Sequence, residues 1–302
     1  MYKPLILATA LLMALPMGVQ AQSDAPGHAK RPQIAAHRGG AMHRPENTLP
    51  AFRHAVDLGV EVLELDMVMT ADDGLVVYHD ATINPALCTP DADAGPGVVP
   101  GPVRALTVAQ TRQFDCGTQV RDIYDVPGYQ AVPGERIPTV EEVLREFADT
   151  DVTFYAETKV PRPSEGVPDI DTTLFAAKID ELVRKYGLED RFILQSSDYR
   201  TIDALHAINP RITTCLLRAH DWDYREFLAA LRKHDAGCIL LRDNITSADE
   251  VRQLQEEGIL VYSEVIDSPE QWERYVHLGA DVIFTNHPEG AIEYLRSIGL
   301  RD

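Results

Sequence analysis

Short apolar runs alternate with longer amphipathic stretches over most of the chain. The runs have the length of strands, and the stretches carry apolar residues at helical spacing. Thr139, with Glu142 three residues later, has the spacing of a capping box and predicts a helix start. The pattern predicts eight strands, at residues 34–37, 60–69, 152–158, 191–195, 212–217, 238–241, 259–264 and 281–284. Helices are expected after them at 48–58, 139–148, 170–186, 198–208, 223–234, 247–257, 269–278 and 289–298.

Eight strand–helix units in succession indicate an α/β fold. Such alternation makes a parallel sheet, and eight units can close into a (β/α)8 TIM barrel. An open doubly wound sheet is the alternative, but no glycine-rich dinucleotide fingerprint follows the first predicted strand. We therefore expect the barrel. Residues 75–78 are interpreted as an extra hairpin arm, which a turn at Asp72-Asp73-Gly74 folds back along the second strand.

The helix and strand signals fade between residues 81 and 138, where Pro, Gly and Asp are frequent. A structureless loop of this length is unusual inside a compact domain. We interpret the segment as a loop-rich insertion after the second strand, with a short helix at 107–114 over the mouth of the barrel. Tyr124 and Tyr129 are its candidate substrate contacts.

Residues 1–21 resemble a signal peptide, with Lys3 before an apolar run at 5–15 and small residues at Val19 and Ala21. An anchoring helix is the alternative, but the run is shorter than the roughly 20 residues that span a bilayer. We expect a barrel domain at 22–302, exported without stable membrane insertion. The periplasm is the expected compartment, and secretion into the medium is the alternative.

The acidic composition restricts the partners. With 28 Lys+Arg against 47 Asp+Glu, the formal charge is −19, which disfavours nucleic acid and anionic lipid surfaces. A small phosphate ester in a local basic pocket stays compatible with it. The sequence gives no indication of the oligomeric state.

The chain has four cysteines, an even number that permits disulfides in an exported protein. Cys88 and Cys116 both lie in the irregular insertion, where a covalent link is most useful, and are predicted to pair. Cys215 and Cys238 lie in predicted strands, where free buried cysteines are also common, so their state is left open.

Charged side chains cluster between residues 37 and 80. Glu64 and Asp66 lie two apart in a predicted strand and therefore share a face. Two carboxylates on one face become favourable when a cation lies between them, and oxygen ligands suit Ca²⁺ or Mg²⁺. A solvated acidic edge strand is the alternative, which the neighbouring apolar residues disfavour. His37-Arg38 ends one apolar run and His79 ends another, placing proton-transfer and phosphate-binding groups at strand ends.

The third predicted strand ends with a similar pair. Glu157 and Lys159 share a face and can reach the mouth of a barrel, where catalytic groups lie. The spacing alone fits two arrangements equally well. Glu157 can complete a three-carboxylate cation site with Lys159 free to meet a phosphate, or the two residues can form a plain ion pair.

Four short motifs in order resemble the glycerophosphodiester phosphodiesterase family: HRG at 37–39, PENTLPAF at 45–52, ELDM at 64–67 and VVYHD at 76–80. The resemblance implies a metal-binding role for Glu157 and a phosphate-binding role for Lys159. It also implies that Gln195, before Ser196, lines the pocket. Asn47 in the second motif is interpreted as a loop-stabilising residue that bonds to local backbone.

Two positions depart from the family pattern. The family commonly has an aromatic residue with a polar partner on the seventh strand, where this chain has Tyr262, Ser263 and Glu264. Tyr262 and Glu264 are therefore candidate pocket residues, and a solvated loop position is the alternative for Glu264. On the eighth strand the family commonly has Thr-Asp before a proline, where this chain has Thr285-Asn286-His287-Pro288.

The resemblance implies metal-dependent hydrolysis of glycerophosphodiesters to glycerol 3-phosphate and an alcohol. We expect Glu64, Asp66 and Glu157 to hold a divalent cation, with Ca²⁺ favoured over Mg²⁺. Arg38 and Lys159 are expected to bind the phosphate. His37 is the expected general base and His79 the general acid. The alternatives are a lysophospholipase D-like phosphodiesterase and a protein that binds phosphodiesters without cleaving them.

Overall fold

Eight parallel strands close into a barrel in the computed structural model, which describes residues 30–124, 126–217, 224–241 and 247–302. The predicted leader lies outside the described residues. The barrel strands are β1 (Gln33–Ala36), β2 (Val62–Met69), β6 (Thr153–Thr158), β7 (Phe192–Ser196), β8 (Thr213–Leu216), β9 (Cys238–Leu240), β10 (Leu260–Val265) and β11 (Val282–Thr285). Because β1 pairs with both β2 and β11, the sheet closes. The predicted TIM barrel is confirmed.

Helices connect the barrel strands at nearly the predicted positions. They are α1 (Leu49–Leu58), α3 (Val140–Phe147), α4 (Thr172–Lys185), α5 (Tyr199–Ile208), α6 (Tyr224–Lys233), α7 (Ala248–Glu256), α8 (Pro269–Leu278) and α9 (Pro288–Ser297). The capping box at Thr139 and Glu142 is present, with both reciprocal hydrogen bonds formed. The antiparallel arm β3 (Leu75–Val77) folds back on the end of β2, as the turn at 72–74 predicts.

Apolar side chains fill the lower interior of the barrel. The rings of Tyr155 and Tyr262 stack with centroids 4.3 Å apart, and Phe284 packs edge-on against Tyr155. The residues that share this interior include Ala35, Val62, Ile193, Cys215, Cys238, Leu240 and Val282. A second, larger apolar layer lies between the strands and the surrounding helices. The charged side chains that line the main cavity lie at the upper end of the barrel, where the strands end.

The insertion packs as a separate small layer against the β2–β3 hairpin. Its own elements are short: β4 (Thr89–Pro90), α2 (Val108–Thr111) and β5 (Phe114–Asp115). The predicted helix at 107–114 is thus shorter, because the chain enters β5 at Phe114. An apolar cluster joins this layer to Val68 and Val76, which lie on the same face of the β2–β3 hairpin as Glu64 and Asp66. The other residues of this cluster include Ile83, Leu87, Val103, Leu106, Phe114 and Ile137.

Two disulfides are present. Cys88 bonds to Cys116 within the insertion, and Cys215 bonds to Cys238 between the neighbouring strands β8 and β9. The sequence leaves the second pair open, since free buried cysteines are also common in strands, and the structure shows that it is bonded. Among the described residues, no helix combines the length and the apolar character needed to cross a bilayer.

Candidate active site

Three carboxylates meet where β2 and β6 lie side by side. Glu64 and Asp66 point into the barrel from β2, and Glu157 is the register partner of Asp66 on β6. One oxygen from each of the three lies within 4.8 Å of the others. Glu64 and Asp66 are almost completely buried. Such a concentration of buried negative charge requires compensating positive charge.

Hydrogen bonds fix the orientation of both carboxylates on β2. Glu64 accepts from the backbone N–H of Arg38 at 2.8 Å and from the side-chain amide of Gln195 at 3.0 Å. Burial raises the pKa of Glu64 well above its ordinary value, and repulsion from Asp66 raises it further. A bound cation would reverse this effect, because positive charge favours the ionised carboxylate.

The side chain of Asn47 hydrogen-bonds to Asp66 and not to the backbone of its own loop. Its side-chain amide donates to Asp66 Oδ2 at 2.8 Å, and its Oδ1 accepts from the Asp66 backbone N–H at 3.2 Å. The expectation that Asn47 bonds local backbone through its side chain is therefore wrong. The residue sits in the left-handed region, at φ 59°, which asparagine tolerates better than most residues. Asn47 thus orients a carboxylate of the cluster.

Lys159 lies directly against the cluster. Its Nζ is 3.0 Å from Asp66 Oδ1 and 2.7 Å from Glu157 Oε2. Although burial opposes it, the two carboxylates raise the pKa of Lys159 above its ordinary value, so the ammonium stays charged. Burial also opposes ionisation of Asp66, but Lys159 holds the pKa of that carboxyl well below its ordinary value. The ion-pair interpretation and the three-carboxylate interpretation thus describe the same group of residues.

The donor set fits a hard divalent cation. All three side chains present carboxylate oxygens, the ligands that Ca²⁺ and Mg²⁺ prefer. Asp66 Oδ1 is buried and has the ammonium of Lys159 as its partner, at 3.0 Å. Three carboxylates still surround this one ammonium, and coordination of a cation would offset the remaining negative charge.

The chain turns sharply at the end of β1, and this turn builds one wall of the site. Arg38, Gly39 and Gly40 all have positive φ, at 51°, 82° and 88°. A Cβ at Gly39 would approach the Cβ of Ala51 to 2.8 Å, so glycine is required there by packing as well as by conformation. For Arg38 this backbone conformation is uncommon, and it aims the Arg38 N–H at Glu64.

His37 is held by Asn286, the residue at the end of the eighth barrel strand where this chain departs from the family pattern. Its Nδ1 lies 2.6 Å from Asn286 Oδ1, while Asn286 Nδ2 donates to Asp267 at 2.8 Å. Because the carboxylate of Asp267 can only accept, the Asn286 oxygen faces His37 and accepts its Nδ1 proton. The unprotonated Nε2 of His37 then lies 4.0 Å from Glu64. Burial lowers the pKa of His37 well below its ordinary value, and the charge of Arg38 adds to that shift.

His79 has an acidic partner instead. Its Nδ1 lies 2.6 Å from Asp80 Oδ1, and a carboxylate accepts the proton at this position. The side chain is 30% exposed, more than that of His37 at 12%, so it borders solvent in the cavity. Burial opposes ionisation of Asp80, but hydrogen bonds from His79 and Arg121 hold its pKa well below the ordinary value.

One cavity of about 1010 Å³ opens above the cluster. Its lining includes seven of the residues expected in the site, namely His37, Arg38, Glu64, His79, Glu157, Lys159 and Gln195. Asp66 lies fully buried beside this lining. Apolar side chains from the segment after β6 and from the neighbouring strand ends complete the wall, among them Val160, Pro161, Val167, Leu217 and Val265.

Four expected pocket residues lie elsewhere. Tyr262 is buried below the cavity in its stack on Tyr155. Glu264 points outward and accepts a hydrogen bond from Tyr275 of α8 at 2.8 Å. The register of β10 against β11 shifts between Tyr262 and Val265, so Val265 rather than Glu264 returns to the inner face. Tyr124 and Tyr129 line a separate, nearly filled gap under the insertion. These four expectations are corrected.

Sequence reasoning missed the residues that support the histidines and Arg38. Glu46 and Asp80 lie inside the second and fourth motifs, which is the signal that the sequence offers for them. Asn286 was noticed as a departure but was given no function. Asp267 and Arg121 gave no local signal, because their partners are distant in sequence.

Comparison with known proteins agrees with this geometry. The model of the glycerophosphoryl diester phosphodiesterase family matches residues 37–290. A glycerophosphodiester phosphodiesterase of Caldanaerobacter subterraneus subsp. tengcongensis is 26% identical over 273 residues, which is 88% of this chain and 98% of the relative.

Solved structures share the fold. A putative glycerophosphoryl diester phosphodiesterase from Silicibacter pomeroyi DSS-3 has a TM-score of 0.77 at 23% identity, covering 91% of this chain and 96% of that one. A phosphodiesterase from Oleispira antarctica, in complex with the product sn-glycerol-3-phosphate, has a TM-score of 0.68 at 20% identity, covering 88% and 97%. The chain belongs to the glycerophosphoryl diester phosphodiesterase family and is an enzyme of that class.

Proposed function

We propose that the protein hydrolyses glycerophosphodiesters to glycerol 3-phosphate and an alcohol, with a divalent cation and two histidines. The observation that carries this proposal is the convergence of His37, His79 and the three-carboxylate cluster on one cavity. Mere capture of a phosphodiester requires no proton-transfer groups, so the binding-only alternative leaves both histidines without a purpose. The product named for the Oleispira antarctica complex supports the choice of substrate class.

Glu64, Asp66 and Glu157 would hold the cation. When bound there, a divalent cation polarises a phosphoryl oxygen and neutralises developing negative charge. Ca²⁺ is the ion we favour over Mg²⁺, and comparison of the two ions tests that choice. The cation would also relieve the buried carboxylate repulsion that raises the pKa of Glu64.

Arg38 and Lys159 supply positive charge to the cavity wall. Both line the cavity, and both are held in place by carboxylates: Arg38 by Glu46 at 3.1 Å, and Lys159 by Glu157 at 2.7 Å. Groups fixed in this way lose little freedom when a substrate binds, which is the basis of electrostatic preorganisation. The phosphate of the substrate is their proposed partner.

The hydrogen bonds of the two histidines support different roles. Asn286 accepts the Nδ1 proton of His37, which leaves a neutral ring with a free Nε2, as a general base requires. Asp80 accepts the Nδ1 proton of His79, and a carboxylate in this position stabilises positive charge on an imidazole ring. We therefore assign His37 as the base that activates the nucleophile. His79 is the acid that protonates the departing alcohol.

Two nucleophiles are compatible with these roles. Water can attack the phosphorus directly, or a neighbouring glycerol hydroxyl can attack and give a cyclic phosphate that water then opens. Phosphorus NMR of the reaction mixture distinguishes the two routes, since only the second accumulates a cyclic intermediate.

A lysophospholipid is the second candidate substrate. The apolar side chains of Val160, Val167 and Leu217 border the same cavity and can accommodate the beginning of an acyl chain. They belong to the β6–α4 connection and to the end of β8, rather than to the insertion. Parallel assays with glycerophosphocholine and lysophosphatidylcholine decide between the two substrates.

The test is release of glycerol 3-phosphate from glycerophosphocholine by the purified protein. We expect no release with chelator and recovery on addition of Ca²⁺, with weaker recovery for Mg²⁺. Release that persists unchanged in chelator would remove the cation from the mechanism. No release from either substrate with either metal, by folded protein, would favour the binding-only alternative.

Export also remains a proposal. The predicted leader at 1–21 directs the chain out of the cytoplasm, with the periplasm as the expected compartment. The two disulfides agree with an oxidising environment. Cell fractionation followed by N-terminal sequencing tests the compartment and the cleavage point together.

A further inference from the structure

An arginine of the insertion is bonded to two carboxylates beside the catalytic residues. The Nε of Arg121 donates to Glu46 at 2.8 Å, and its Nη2 donates to Asp80 at 2.9 Å. The side chain is only 20% exposed. Arg121 is outside the lining of the main cavity and therefore has no direct access to a substrate there.

Each of these carboxylates uses its second oxygen on a residue of the active site. Glu46 accepts from Arg38 Nη1 at 3.1 Å through the oxygen that Arg121 leaves free. Asp80 accepts from His79 Nδ1 at 2.6 Å in the same way. An unbroken chain of charge-assisted bonds thus runs from Arg38 through Glu46, Arg121 and Asp80 to His79. Arg121 is the central residue of this chain.

The planar guanidinium suits this central position. Its fork presents several N–H donors in fixed directions, so it can bind two carboxylates at once and fix the distance between them. Without it, two partly buried carboxylates would face each other, and each would keep only one of its two hydrogen-bond partners. Such groups reorient toward solvent, because an incompletely paired buried charge is costly. His79 would then lose the carboxylate that orients it, whereas Arg38 would keep a second carboxylate, Asp66, at 3.4 Å.

The segment carrying Arg121 is itself tethered. The disulfide Cys88–Cys116 lies five residues upstream, and the backbone of Cys116 donates to Glu135 at 2.9 Å. On the other side, the N–H of Tyr124 donates to the carbonyl of Arg121 at 2.8 Å. The guanidinium is therefore presented by a fixed piece of backbone, which is a condition for positioning other residues.

We propose that Arg121 is a positioning residue for His79, with Glu46 and Arg38 as its anchor, and that the insertion is thereby part of the catalytic apparatus. This inference rests on the proposed function. It predicts a specific defect, since loss of Arg121 weakens proton donation by His79 while the three-carboxylate cluster on β2 and β6 stays intact.

The experiment compares Arg121→Ala with Arg136→Ala. Arg136 is a matched control: it also lies in the insertion and pairs with a carboxylate, Asp91 at 2.6 Å, but that pair does not continue to the active site. We expect Arg121→Ala to lower kcat on glycerophosphocholine by about 10- to 100-fold, the usual effect of losing an outer partner of an active-site group. Arg136→Ala should leave kcat within about twofold of wild type, as surface changes do.

A second substrate separates positioning from general damage. The p-nitrophenyl ester of glycerol 3-phosphate has a leaving group that needs little protonation, so the role of His79 matters less. Arg121→Ala should therefore lose much less activity on this ester than on glycerophosphocholine. Ca²⁺ binding, measured by calorimetry, should match wild type, and added guanidinium ion should restore part of the lost kcat.

The outcomes are distinguishable. A wild type that cleaves neither ester refutes the proposed function and the inference with it. If the wild type is active, two results would overturn the inference and leave the proposed function standing. One is a kcat of Arg121→Ala equal to that of wild type, and the other is an equal loss of kcat on the two esters. If Arg121→Ala does not fold, Arg121→Lys decides in its place. A lysine offers a point charge to only one carboxylate, so an unequal loss supports the inference and unchanged kcat on both esters overturns it.

Discussion

The two sides of the barrel mouth differ in chemistry although they share one backbone pattern. On one side, the ends of β1, β2 and β6 carry a concentration of charged groups, namely Arg38, Glu64, Asp66, Glu157 and Lys159. On the other, the ends of β8, β9 and β10 present apolar side chains, as at Leu217, Leu240 and Val265, and a disulfide joins β8 to β9 below them. We call the first the charged side and the second the apolar side.

The charged side supplies the reactive groups of the site, whereas the apolar side supplies the packing of the barrel. The carboxylates of the cluster are held by polar groups around them, among them Lys159, Asn47 and Gln195, so each group there depends on the others. The apolar side contributes volume and rigidity to the same barrel without exchanging charge with the cluster. Substitutions on the charged side should therefore change turnover, and substitutions on the apolar side should change stability.

The largest expected effect is on the charged side. His37→Ala should lower kcat by about 10²- to 10⁴-fold, because a general base contributes that much to the rate. The thermal midpoint should stay close to wild type, since His37 lines the cavity and leaves room for solvent when truncated. Steady-state kinetics and a melting curve check both points. Near-normal turnover would remove His37 from the chemistry.

On the apolar side, the double substitution Cys215→Ser with Cys238→Ser should do the opposite. Loss of a disulfide that closes a loop of 23 residues should lower the free energy of unfolding by about 3 kcal/mol. We expect kcat to remain within about twofold of wild type, as for a change away from the reacting groups. Denaturant unfolding and kinetics of the same preparation measure the two effects. A large loss of kcat in folded protein would show that the two sides are not separable.

A smaller loss of activity is expected from Asn286→Ala, which acts on the charged side through His37. Removal of the Asn286 oxygen leaves the Nδ1 proton of His37 without its acceptor. We expect kcat to fall by about 10- to 100-fold, the usual cost of losing an outer hydrogen-bond partner. Nitrogen NMR of the imidazole checks the cause, since the tautomer preference should weaken. An unchanged tautomer with unchanged kcat would contradict the role given to Asn286.

The smallest expected effect concerns the stability of the protein in acid, and it arises at His43, near the charged side. Burial, with His287 and His54 nearby, lowers the pKa of His43 to about 4. Because the unfolded chain binds this proton more readily, stability should fall as pH drops from about 6.5 toward 4. In His43→Gln, the loss of unfolding free energy between about pH 6.5 and 4 should be smaller by roughly 1 kcal/mol, a figure reduced for partial exposure. Unfolding curves across this range measure it, and an unaltered pH dependence would exclude His43 as the source.

The fold was largely predictable because strand–helix alternation is a local signal that survives in the sequence. The eight barrel strands were all located, and the pairing of Glu64 with Asp66 followed from strand periodicity alone. The roles of Asn47 and Glu264 were misjudged for a physical reason. Asn47 bonds to a strand distant in sequence, and Glu264 faces outward because a register shift in β10 reverses the alternation after Tyr262.

The residues that the sequence does not reveal are mainly those whose hydrogen-bond partners lie far away in the chain. Arg121 reaches Glu46 and Asp80 across 75 and 41 residues, and no composition or periodicity links such positions. Asn286 is a different case from Arg121. The sequence shows that it departs from the family pattern but does not show its contact with His37. Motifs locate reactive groups, whereas the residues that orient those groups emerge only when the chain is folded.

The central claim is that His37 and His79 divide base and acid catalysis on the charged side. Its most direct test is the turnover of His79→Ala on glycerophosphocholine and on the p-nitrophenyl ester of glycerol 3-phosphate. The account predicts a loss of about 10²- to 10⁴-fold on the first substrate, where the alcohol must be protonated, and near-wild-type turnover on the second. Equal losses on both substrates would contradict the role of His79 as the general acid.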